Sequence, residues 1–155
     1  MPHLSPFTPA ERLESAKAAI TGGLAAGLIG LGLLLAYRFT HPTVAIFLGN
    51  LLTGLAGQTL LAHWAIATLS GSLFALTYRY AIRQDQNPQL KAGVVMAFTL
   101  VRGLAQVDVG SAIAQHFWPF FIACGESLLL FGGSAIVLEW AFSKKWLKPF
   151  GTNLP

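Results

Sequence analysis

Charge is what this chain has least of. Lysine, arginine, aspartate and glutamate make up 10% of its 155 residues, where an ordinary soluble domain carries about 25%. So few charges cannot cover a water-exposed surface, and 54% of the residues are hydrophobic. Lipid is therefore the expected solvent for most of the molecule. Cysteine is nearly absent as well. Cys124 alone excludes an internal disulfide framework and a cysteine-based zinc site, and within its apolar run it reads as a packing residue. The six acidic residues, mostly in loops and ends, do not support a two-carboxylate hydrolase. There is no P-loop, dinucleotide fingerprint, HExxH or GxSxG. The expectation is a protein with no catalytic residues, no metal ligands and no cofactor.

Apolar runs are plentiful by contrast. The first eighteen residues are polar, proline-bearing and of mixed charge, unlike a signal or transit peptide. Thr8, Pro9 and Glu11 have the spacing of a capping box with proline at the first helical position. Ala10–Ala18 reads as a solvated extension of the first span; the alternative is a membrane-surface helix on a thin apolar face of Leu13, Ala16 and Ile20. Ala18–Tyr37 is long enough to cross a bilayer. Its Gly23, Gly27 and Gly30 give small-residue spacing that lets helix backbones approach closely, so they form a candidate helix-packing face. Whether the partner of that face lies in this chain stays open.

Val44–Ile82 is too long for one span. Either it makes two passes turning near His63, or it breaks at Gly54–Gly57 into a short re-entrant or interfacial segment and a full span from about Gln58. Leu61–Ala65 has no glycine or proline to turn on, which favours the second division. Asn87-Pro88 marks a loop, Ala92–Val107 follows, and Phe117–Phe142 closes the set between Trp118 and Trp140, spaced like an aromatic belt. The fold expected is an all-α integral membrane bundle of four transmembrane helices, with five passes as the alternative. Residues 1–17 form a polar lead, 18–142 the bundle and 143–155 a basic tail.

The net charge of +4 sits just outside the apolar runs, so nucleic acid is not an expected partner; membrane lipids are. Four passes put Arg12, Lys17, Arg79, Arg83, Lys91, Lys144, Lys145 and Lys148 on one side and Arg38 on the other. That places both termini in the cytoplasm.

Two charges interrupt the last apolar runs: Arg102 and Glu126. A lone charge at the bilayer centre costs roughly 2.5–3.5 kcal/mol on insertion scales, so such residues pair or serve a function. In adjacent antiparallel helices both fall near mid-depth, with Gln106 one turn beyond Arg102. These three residues are the candidate intramembrane polar cluster. The plain structural alternative is a buried ion pair that sets helix register; another pairs Arg102 with Asp108. His63 reads as a packing histidine rather than a ligand, His116 as an interfacial one, and Asn50 and Gln58 as weak signals for interhelical hydrogen bonds.

The run Tyr78–Leu104, through Arg79-Tyr80, Asn87-Pro88, Lys91 and Val101-Arg102-Gly103, resembles a group of uncharacterised multi-pass membrane proteins of cyanobacteria and plastids. The resemblance implies a thylakoid or plasma membrane location and brings no active-site residues. The leading expectation is an accessory or assembly factor that packs against a larger, photosynthetic membrane complex. The alternative is a small transporter or channel built on Arg102 and Glu126. Other membrane proteins are the expected partners, and a homo-oligomer is compatible with the sequence.

Overall fold

Thr8 caps the first helix, accepting the Glu11 N–H on its hydroxyl at 3.3 Å. Only half of the expected capping box forms, because the Glu11 carboxylate is engaged elsewhere. The computed structural model describes residues 8–39, 55–83, 85, 87–106 and 118–151. Its elements are four helices: α1 (Pro9–Phe39), α2 (Leu55–Ile82), α3 (Pro88–Ala105) and α4 (Trp118–Ser143). Three of them, over Pro9–Ala36, Leu60–Ile82 and Phe120–Ser143, are long and apolar enough to cross a membrane. The 18-residue α3 carries Lys91 and Arg102 and is not among the three.

α2 runs unbroken through His63, so the turn weighed at Leu61–Ala65 is absent. Leu61, Ala62, Trp64 and Ala65 continue the helix there because nothing removes a backbone donor or favours a left-handed residue. Within the described residues α2 begins at Leu55, so Leu55–Gly57, inside the expected break at Gly54–Gly57, are helical. The rest of the expected re-entrant segment, with Asn50, lies outside the described residues. Asn87 caps α3, its side chain accepting the Gln89 N–H at 2.9 Å, and Pro88 takes the first helical position.

The helices run up, down, up and down. α1 packs along α2 and also against α4, while α3 lies mainly against α4. The α1–α2 crossing is close because glycines make it so. A Cβ on Gly23 would collide with the Ser72 hydroxyl, and one on Gly27 would sit 2.5 Å from Thr68 Oγ1. At Gly30 the same addition meets Ala67 Cβ at 2.9 Å. The glycine face thus finds its partner within the chain. Phe74, Phe98 and Phe131, from α2, α3 and α4, join ring to ring at 5.2–5.5 Å between centroids in the middle of the bundle.

Alanines share the interior with Phe74, Tyr78, Phe131 and Leu138, while many large apolar side chains lie on the outside. Ala18, Ala26, Ala67, Ala75, Ala135 and Ala141 are buried. Leu24, Leu28, Leu69, Leu73, Leu129 and Ile136 are exposed. Small residues at close helix contacts are what packing in lipid selects.

Candidate functional site

Two polar regions occupy opposite ends of the bundle. The first joins the start of α1, the end of α2 and the chain after α4. Arg79, one turn before the end of α2, is 1% exposed, and Glu11 is 3% exposed. The guanidinium pairs with Glu11 Oε2 through Nη2, donates from Nη1 to Ser15 Oγ at 2.7 Å, and from Nε to the Lys148 carbonyl at 2.9 Å. Glu11 Oε1 accepts the Gly151 N–H at 3.3 Å, and Glu14 Oε2 accepts the Lys148 N–H at 3.2 Å. Ser15 also meets the Tyr80 hydroxyl at 2.7 Å.

The expected solvated extension is therefore turned inside out. Glu11, Glu14 and Ser15 are buried, whereas Leu13 and Ile20 of its apolar face are exposed. Glu11 and Ser15 from the start of α1 and Lys148 from the chain after α4 are all tied to the end of α2 through Arg79. α4 ends as Lys145 takes a positive φ of 58°, with the Trp146 N–H reaching back to the Ala141 carbonyl at 3.0 Å. That turn sends residues 146–151 back across the helix ends. Nearby, Glu139 accepts from Lys91 Nζ at 2.9 Å and from the Tyr78 hydroxyl at 2.8 Å, joining α2, α3 and α4.

The second region is a cavity of about 420 Å³ at the other end. All four helices line it: Gly30, Leu33 and Leu34 from α1, His63 and Ala67 from α2, Arg102 and Gln106 from α3, and Glu126 and Leu130 from α4. The three candidate cluster residues thus share one cavity. They do not form the ion pair weighed from the sequence. Among the described residues the ion pairs are Lys17–Glu14, Arg79–Glu11 and Lys91–Glu139, and Arg102 and Glu126 do not meet within 4 Å. Arg102 instead donates to Ser70 Oγ on α2 at 3.2 Å. Asp108 and His116 lie outside the described residues, as does the Gln58 side chain.

α3 lies close on α4 beside this cavity. Gly103 packs against Cys124, where an added Cβ would lie 2.5 Å from the sulfur. That contact sets one helix face against the other, and Arg102 and Glu126 flank it on the cavity side. His63 joins them although the sequence marked it as a packing residue; it is exposed rather than packed. One helical turn before Arg102, Thr99 is buried, and Ser127 is buried next to Glu126. Neither hydroxyl has a hydrogen-bond partner.

Sequence reasoning missed the Arg79–Glu11 centre altogether. The signals were present in the wrong roles, Glu11 as a cap residue and Arg79 as one of the basic residues flanking a loop. Among the described residues no group of three or more His, Cys, Asp or Glu side chains is arranged to hold a metal ion. No family model, curated protein or solved structure matches this chain.

Proposed function

We propose that the chain is a four-pass membrane protein that takes a small polar solute into the cavity at Arg102, Gln106 and Glu126 and acts as a small transporter. The observation that carries this reading is the cavity itself. Its volume falls within the range of about 300–1,000 Å³ typical of ligand pockets, and every helix contributes to its wall. Ionisable residues within apolar bundles face the bundle interior or a water-filled cavity and mark solute and ion pathways.

The many large apolar side chains on the outside of the helices support lipid as the surrounding solvent. α3 supports a fourth crossing despite its charges. Its Lys91 meets Glu139 near one end of α4, and its Gly103 meets Cys124 near the other. It therefore follows α4 over most of that helix's length, and about 27 Å of helix is close to the roughly 30 Å hydrocarbon thickness. The glycine face, which suggested docking onto a larger complex, is occupied by α2. That shifts the balance from accessory factor to transporter.

Reconstitution into liposomes tests the reading. Uptake of a panel of small labelled solutes is expected for the parent chain and is expected to fall at least about tenfold with Glu126→Gln, at unchanged abundance and helicity. Equal uptake by parent and Glu126→Gln liposomes, or none above empty liposomes, refutes it.

A further inference from the structure

Opposite charges that line one cavity ordinarily draw together, because their attraction is strong at short range. Arg102 and Glu126 do not. Ser70 on α2 takes one guanidinium hydrogen bond at 3.2 Å, drawing that side chain toward α2. Gly103 packs against Cys124, and Glu126, two residues further on, lines the same cavity as Arg102. The result is a cation and an anion facing one space with no direct ion pair between them. Leu33, Leu34 and Leu130 supply apolar wall beside them.

Resting on the transporter reading, we infer that the occupant is a zwitterion with an apolar body, its anionic group on Arg102 and its cationic group on Glu126. A simple anion would leave Glu126 facing negative charge, and a simple cation would leave Arg102 facing positive charge. Each mismatch weakens binding through like-charge repulsion at short range. A zwitterion satisfies both walls at once and enters without changing the net charge of the cavity. The same chemistry has two sources, a free amino-acid-like solute or the headgroup of a zwitterionic phospholipid.

The test uses the full chain in nanodiscs and probes with matched bodies: leucine, N-acetyl-leucine as the anion alone, leucine methyl ester as the cation alone, and lysophosphatidylethanolamine. A zwitterionic probe is expected to bind about ten- to a hundredfold more tightly than either singly charged one. Tighter binding by leucine identifies a free solute, and tighter binding by lysophosphatidylethanolamine a lipid headgroup; either supports the inference. Arg102→Gln should shift preference toward the methyl ester, and Glu126→Gln toward N-acetyl-leucine. Ser70→Ala leaves both charges in place. It should weaken zwitterion binding by freeing Arg102 to approach Glu126. N-acetyl-leucine or the methyl ester binding as tightly as both zwitterions overturns the inference while leaving the transporter reading standing. Failure of every probe overturns the inference, and the transporter reading then stands or falls on the liposome uptake.

Discussion

Arg79→Met should be the most destabilising single substitution outside the apolar packing. The arginine side chain is wholly buried and makes an ion pair with Glu11 and hydrogen bonds to Ser15 and the Lys148 carbonyl. Methionine keeps much of the volume but none of the donors. Glu11, with its side chain 4% exposed, would retain the Gly151 N–H at 3.3 Å as partner for one oxygen. Leaving one member of a buried pair uncompensated costs about 3–5 kcal/mol, a large share of the 5–15 kcal/mol that holds a typical fold together. The loss comes mainly from the stranded charge, so removing that charge should restore stability. Arg79→Met with Glu11→Leu is expected to be more stable than Arg79→Met alone, by at least about 1.5 kcal/mol. Arg79→Lys should not substitute well, because an ammonium cannot reach three acceptors in the guanidinium's planar arrangement. Equilibrium unfolding in mixed micelles measures these differences. Limited trypsin digestion at Lys144 and Lys145 reports whether the tail has come away. If Arg79→Met unfolds within about 0.5 kcal/mol of the parent and its tail stays protected, the argument from burial is wrong.

The remaining expectations use the same unfolding measurement. Gly23→Leu should destabilise by about 1–3 kcal/mol through collision with Ser72, whereas Gly32→Ala, whose Cβ would meet nothing within 4 Å, should stay within about 0.5 kcal/mol of the parent. Ser127→Ala removes a buried hydroxyl that has no partner and should stabilise by about 1 kcal/mol; a loss of that size would mean the hydroxyl is satisfied. Lys91→Met breaks a pair whose Glu139 side chain is 40% exposed, so its cost should remain below about 1 kcal/mol, far less than Arg79→Met. Equal costs for the two would show that burial does not distinguish the pairs.

Helix positions were legible because each has a local cause. Thr8-Pro9 starts α1 and Asn87-Pro88 starts α3, and the absence of a breaker around His63 argued for the unbroken helix that is found. The candidate cavity was half legible. Antiparallel spacing along α3 and α4 brought Arg102, Gln106 and Glu126 to one region, and they do share a cavity. Their separation was not legible. Arg102 bonds instead to Ser70, thirty-two positions from it along the chain. His63 was misread for the same reason, since a side chain's neighbours across a bundle are not encoded in its own apolar run.

By itself the sequence determined the element type and the apolar character of the three helices that are long enough to cross a membrane. Ten per cent charge and long apolar runs leave few folds other than helices packed for lipid, because backbone groups there must be satisfied within each segment. Only the tertiary structure decided which charges meet. Glu11 finds Arg79 sixty-eight residues away, and Arg102 misses Glu126 only twenty-four residues along, because electrostatic pairing follows distance in space. That distance is set by glycine contacts between helices and by a tail folded back over their ends, neither of which leaves a local trace in the order of residues.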